Sequence, residues 1–263
     1  MFETRISGPV AVIGDVHGQV DKLDSILSQL DKRGDLAKRW IVFIGDLVDR
    51  GSDVAGTLDL ISELIRDGVR TTIVSGNHEL AMSGALNLIP APDYCDWRKR
   101  WLTGYGAEAT FASYGVPFGD CESLAAALPL EHRELIADAP WSVEHEQFFF
   151  VHADLDPHLP FAAQKNMLRV RDLSLNNPGW LCSKRWPFES LPHDCDKTVV
   201  SGHVPLAEVQ IDRNRILLDT TGGVKGELSC VLLPERTVVS SRPPAAPAKK
   251  PAFSLSRIFG RTA

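Results

Sequence analysis

Hydrophobic positions along this chain follow two alternating patterns. Five runs are short and almost uniformly apolar: "VAVIGDVHG" (10–18), "IVFIGDLVDRG" (41–51), "TTIVSGNHE" (71–79), "FFFVHAD" (148–154) and "TVVSGH" (198–203). β-Branched and aromatic residues dominate them, the composition of buried strands. Between the first three runs the apolar residues recur every three or four positions. Val20, Leu23, Ile26, Leu27 and Leu30 make one such stripe, and Val54, Leu58, Ile61, Leu64 and Ile65 make another. Both predict helices with one core-facing side. Gly34 and Gly68 stand where those helices should stop, because glycine takes a left-handed terminating conformation cheaply. Strand–helix–strand–helix–strand requires crossover connections, and hence an α/β fold with a largely parallel sheet.

The pattern changes after the third run. Residues 80–140 lose the strand signature and hold "DYCDWRKRWLTGYGAEATFASYG" followed by "CESLAAALPLEHRELIADA". This predicts a mostly helical insertion, its aromatic residues packing between helices rather than stacking nucleic-acid bases. Residues 207–239 alternate and predict closing strands, expected to be antiparallel. From 242 the composition shifts to "RPPAAPAKKP", a stiff solvated linker. The expected division is therefore a catalytic domain over 1–241 and a linker with a short tail over 242–263. In that tail Phe253, Leu255, Ile258 and Phe259 accompany Arg257 and Arg261, so residues 252–263 could make weak contact with a membrane surface or a partner protein.

Composition narrows the function classes. The 263 residues, 44% of them hydrophobic, can bury a sizeable core. A formal net charge of −6 excludes a general nucleic-acid binder, which must neutralise phosphates. No apolar run approaches the roughly 20 residues of a membrane span, and no secretory signal is evident. The five cysteines are scattered without a Cys-x-x-Cys pair, which fits a reduced, cytoplasmic chain. Walker, Gly-x-Ser-x-Gly and GxGxxG motifs are all missing from the sequence.

The chemistry lies at the ends of the five apolar runs. Each ends in Asp, Asn or His, four of them through a glycine. A single such ending is ordinary turn chemistry, but five together aim metal-competent side chains beyond the carboxyl ends of strands, where ligands of such sheets bind. Asp15 and His17 are two apart and point the same way in extended chain. The candidate ligands are Asp15, His17, Asp46, Asn77, His152 and His203. This mixture of carboxylate, amide oxygen and imidazole suits Mn²⁺, Fe²⁺ or Zn²⁺, whereas structural zinc prefers thiolates. Six ligands are many for one catalytic ion, and two ions sharing an aspartate divide them sensibly. Such a pair keeps net positive charge and so attracts a phosphate dianion to an acidic protein.

Taken in order, "GDVHG", "GDLVDRG", "GNHE", "VHAD" and "SGHVP" resemble the phosphoprotein phosphatase family of calcineurin-like metallophosphoesterases, in the branch of bacterial and lambda-phage-type serine/threonine phosphatases. The similarity runs from about Pro9 to Leu233. It implies a β-sandwich flanked by helices, two divalent ions with Mn²⁺ foremost and Fe or Zn as alternatives, and hydrolysis of phosphoprotein or phosphopeptide by a metal-bound hydroxide. By the same resemblance Asp15 and His17 hold the first ion, Asp46 bridges both, and Asn77, His152 and His203 complete the second. His78 becomes the general acid, oriented by Asp49, and Arg50 grips the phosphate. A second phosphate-binding arginine matches Arg185 in "WLCSKRWPF", with Lys184 its neighbouring alternative, where the family more often reads like "LLWIREPF". The chain also departs with "HAD" for the common "HAG" and "DTTGG" for "DTGA". Glu79 is expected to support its loop, and His132, His145, His158 and His193 to serve packing or surface.

Two other readings compete. Symmetrical dinucleoside-polyphosphate (Ap4A-type) hydrolases share the fold but resemble "ARG" and "GNHD" where this chain has "DRG" and "GNHE". A nucleotide leaves more easily than an alkoxide and needs less acid assistance, so Asp49 argues for monoesters. A non-catalytic adaptor acting through the tail would not need the full ligand set.

Overall fold

The structure is a computed structural model that describes residues 2–242, and the tail at 252–263 lies outside the described residues. Strands β1 (Val10–Ile13), β2 (Trp40–Phe43) and β3 (Thr71–Ile73) are the first three apolar runs. Helices α1 (Val20–Lys32) and α2 (Val54–Arg66) connect them, and the three strands pair in parallel with Ile13 opposite Phe43 and Phe43 opposite Ile73. Next come α3 (Asn77–Ala85), α4 (Trp97–Gly104), α5 (Glu108–Ser113), α6 (Cys121–Ala127) and α7 (Leu130–Ala137), which make the expected helical insertion. Strands β4 (Ser142–Glu144) and β5 (Phe148–Val151) precede α8 (Phe161–Val170) and the short α9 (Gly179–Cys182). The chain closes with β6 (Thr198–Ser201), β7 (Gln210–Ile211), β8 (Arg215–Leu217), β9 (Ser229–Leu233) and β10 (Thr237–Ser240).

The strands form two five-stranded sheets, ordered β10-β9-β1-β2-β3 and β4-β5-β6-β8-β7. Successive residues of β1 serve different cores. Val10 and Val12, with Val42, Phe150, Val200 and Ile216, fill the layer between the sheets. Ala11 and Ile13 pack outward on Leu23, Ile26, Leu58 and Ile61 of the helices. Both faces of the strand are thus buried, which is why its sequence reads as continuous apolar residues and not as an alternation. Within the α2 stripe, Ile65 departs from expectation: it is 40% exposed.

The closing strands are antiparallel only in part. β9 pairs antiparallel with β1 and β10, and β7 with β8, but β8 runs parallel to β6. The hairpin docks through its second strand because Ile216 and Leu217 of β8 are buried, while Gln210 of β7 is exposed and takes the edge. All five cysteines are free thiols, and no helix among the described residues is long and apolar enough to cross a membrane.

Candidate metal centre

The ends of β1, β2, β3, β5 and β6 converge, and the backbone bends sharply to turn their last side chains inward. His17, Asp46, Asp49, Arg50 and His203 have φ of 47°, 52°, 70°, 65° and 66°. Non-glycine residues in this left-handed region are strained by about 1–3 kcal/mol each and persist only where their surroundings hold them. Glu79 holds one of them, Asp46, directly. It is fully buried and accepts N–H bonds from Gly76, Asp46 and Leu47, each at 2.8 Å. It therefore staples the "GNHE" turn to the "GDLVDRG" turn, the supporting role expected of it. The motif glycines leave room for the carboxylates. A Cβ on Gly202 would lie 2.0 Å from Asp15 Oδ1, and one on Gly76 would lie 2.2 Å from Asp46 Oδ1.

Two of the imidazoles are oriented through their second nitrogens, as candidate ligands. His17 Nδ1 donates to the Val48 carbonyl at 2.9 Å, and His152 Nδ1 donates to the Ile44 carbonyl at 2.8 Å. Such bonds fix the tautomer and turn Nε2 toward a metal. His17 Nε2 lies 3.6 Å from Asp46 Oδ2, and His152 Nε2 lies 3.3 Å from Asp46 Oδ1 and 3.1 Å from Asn77 Oδ1. The buried Nε2 of His203 has no hydrogen-bond partner, and its backbone N–H donates to Asp15 Oδ2 at 3.0 Å. Ligand atoms of His17, Asp46 and His78 lie within 4.8 Å of one another, as do those of Asp46, His152 and His203. Asp46 belongs to both groups.

Electrostatics in this cluster call for positive charge. Burial, joined by His78, pushes the His17 imidazole down to about 3, and burial with the adjacent His152 pushes His203 down to about 4. Both are neutral near pH 7, as a metal ligand must be. Burial alone would also discharge His152, but Asp46 and Asp15 overcome it and raise its pKa to about 10. Burial and then the neighbouring Asp219 carboxylate raise Asp15 well above the usual carboxylate range. Burial opposes the charge on Asp46 too, yet His152 and His78 hold it well below that range. Packed carboxylates that hold a proton on His152 in their midst, the neutral imidazoles of His17 and His203 and an orphaned Nε2 fit divalent cations.

Beside this cluster His78 Nδ1 donates to Asp49 Oδ2 at 2.7 Å, with both side chains buried. Arg50 reaches between the histidines and donates to His17 Nε2 at 3.0 Å and to His78 Nε2 at 2.9 Å. The opening is a cavity of about 300 Å³ whose wall includes Asp46, Arg50, Asn77, His78, Tyr105 and Lys184. Arg185, the sequence-matched second arginine, does not line it. Its side chain is 77% exposed and paired with Glu189. Sequence reasoning missed Tyr105, which meets His78 edge-on at 4.9 Å between ring centroids, and also Trp101 and Thr110, which bond Asp49. The "HAD" departure has a local reason. Buried Asp154 pairs with Arg215 at 3.0 Å, and Arg215 in turn donates to the Glu189 carbonyl at 2.7 Å, tying the loop after Arg185 to β8. Of the other histidines, His132 bonds Tyr114 and Asp59, His145 bonds the Gly8 carbonyl, and His158 and His193 are exposed.

Known proteins share this arrangement of elements. Residues 8–226 match the family model described as calcineurin-like phosphoesterase. An asymmetrical bis(5'-nucleosyl)-tetraphosphatase of Oceanobacillus iheyensis is 25% identical over 94% of this chain and 98% of its own length. A serine/threonine-protein phosphatase 4 catalytic subunit of Saccharomyces cerevisiae is 38% identical, over 29% of this chain and 24% of its own. The crystal structure of a putative diadenosine tetraphosphatase superposes with a TM-score of 0.59 at 19% identity, covering 91% of this chain and 97% of that one.

Proposed function

Because the chain belongs to the calcineurin-like phosphoesterase family, and so to a class of hydrolases, we propose that it is a metal-dependent phosphomonoesterase acting on phosphoserine and phosphothreonine in proteins. The observation that supports this best is the buried Asp49–His78 pair, joined at 2.7 Å and opening on the cavity beside the ligand cluster. A serine or threonine alkoxide is a poor leaving group near neutral pH and must receive a proton as the ester bond breaks. His78 is placed to donate it from Nε2, with Asp49 fixing the ring through Nδ1.

The ligand set would hold two divalent ions, Mn²⁺ foremost with Fe or Zn as alternatives. In the proposed division Asp15 and His17 serve one ion, Asn77, His152 and His203 the other, and Asp46 both. When bound, such a pair supplies Lewis-acid charge and an acidified water. The protein's own groups do the rest. Arg50, whose guanidinium already spans His17 and His78, offers two parallel N–H bonds to phosphate oxygens. As it turns to phosphate it frees His78 Nε2 to take up a proton from water, which the ring then passes to the leaving oxygen. Lys184, on the cavity wall, takes the second phosphate contact in place of Arg185.

A second reading has its own support. The tetraphosphatase relative matches nearly end to end, whereas the phosphatase 4 match covers a quarter of that subunit. Rates on a phosphoserine peptide, a phosphotyrosine peptide and diadenosine tetraphosphate, measured side by side with Mn²⁺, separate the two. The monoesterase reading expects the phosphoserine peptide to have the highest kcat/KM. Preference for diadenosine tetraphosphate by about tenfold or more, equivalent to about 1.4 kcal/mol, overturns it.

A further inference from the structure

We propose that Trp101 and Thr110 are positioning residues for the general acid, so that the helical insertion sets how well the site expels a poor leaving group. This rests on the reading of His78 as proton donor. The Asp49 carboxylate is fully buried, and an ionised carboxylate offers about four acceptor positions. Thr110 Oγ1 donates to Oδ1 at 2.7 Å. Trp101 Nε1 lies 3.0 Å from Oδ2 and 3.2 Å from Oδ1, bridging the two oxygens. His78 takes the remaining direction on Oδ2. With both oxygens engaged, the carboxylate cannot rotate about its Cβ–Cγ bond without breaking a bond in a dry site, where an unmade bond is costly.

The two donors come from one short stretch. Trp101 lies on α4 and Thr110 on α5, both fully buried. The Trp101 ring packs on Phe111 with centroids 5.4 Å apart. The turn between them carries Tyr105 against the His78 ring and Gly106, whose carbonyl accepts the Arg50 N–H at 3.0 Å. Residues 101–110 therefore touch Asp49, His78 and Arg50 at once, although none belongs to the sandwich or to the ligand cluster. The strand ends and the start of α3 place the candidate ligands, and α4, α5 and the turn between them aim the acid.

The test is a leaving-group comparison on Thr110→Val, which keeps the side-chain shape and removes the hydroxyl donor. Trp101→Phe serves as a second variant and Thr110→Ser as the rescue. With Mn²⁺-loaded protein, the expected loss in kcat on a phosphoserine peptide is about tenfold or more, part of the roughly 10²–10⁴ that general acid help supplies. The loss on nitrophenyl phosphate should be several times smaller, since its leaving group needs little protonation. Thr110→Ser should recover the phosphoserine rate, and bound metal should match the unaltered protein in all three. Equal losses on both substrates, or a Thr110→Val protein that keeps its phosphoserine rate, overturn the inference. His78→Asn run in the same series tells the two failures apart. If it too loses equally on both substrates, the acid assignment itself is wrong. If it discriminates while Thr110→Val and Trp101→Phe do not, the positioning role alone falls.

Discussion

At the scale of single residues, Asp46 is the most exposed to test, because its carboxylate belongs to both groups of candidate donors. Asp46→Asn should weaken both ions together, by at least about tenfold each, since even indirect partners of a ligand are typically worth that much. Metal analysis after dialysis checks it. Retention of two tightly held ions would contradict the assignment of Asp46 to both. Ligands of this kind are legible in a sequence because few residue types can do the work and each must sit at a strand end. Trp101 and Thr110 are not legible in that way. Both occupy helices in positions that a periodicity argument assigns to packing, and only the tertiary contact with Asp49 reveals that their polar atoms are used. Lys184 and Arg185 show a similar limit. Adjacent in sequence, they diverge in space because Arg185 folds back on Glu189.

At the scale of elements, a buried ion pair ties the loop after Arg185 to β8. Burial outweighs the attraction of Arg215 and raises the Asp154 carboxyl to about 6, against 3.8 when unperturbed. The folded protein thus binds a proton there that the unfolded chain has already released. Its contribution to stability is complete below pH 3.8 and is lost as pH rises through about 6. Relative to Asp154→Asn, the unaltered protein should lose about 3 kcal/mol of stability between those limits, taking 1.36 kcal/mol per pKa unit. Denaturant unfolding of both proteins across that range measures the difference, and a constant gap would contradict it. Strands β1 to β3 and helices α1 and α2 are readable from sequence because burial on both strand faces and on one helix side writes clear periods. The direction of β8 is not, because a two- or three-residue strand carries no record of whether its neighbour will be the preceding hairpin arm or a strand across the sheet.

At the scale of the whole molecule, an acidic chain gathers its substrate through a local centre. The net charge of −6 repels phosphate at long range, so on the proposed function attraction would come from cations held among Asp15, His17, Asp46, Asn77, His152 and His203, helped by Arg50 and Lys184. The two-sheet layout brings candidate ligands from both sheets to one edge, while the insertion closes over Asp49 and His78. On the proposed function, this assembly breaks monoester bonds to poor leaving groups by proton donation from His78. The most direct measurement is a leaving-group series, from alkyl to nitrophenyl phosphates, on the unaltered protein and on His78→Asn with metal content determined alongside. His78→Asn should retain its metal and lose about 10²–10⁴ in kcat on alkyl esters, with the loss shrinking steadily as the leaving group improves. A loss of the same size for every leaving group, with metal retained, would contradict it.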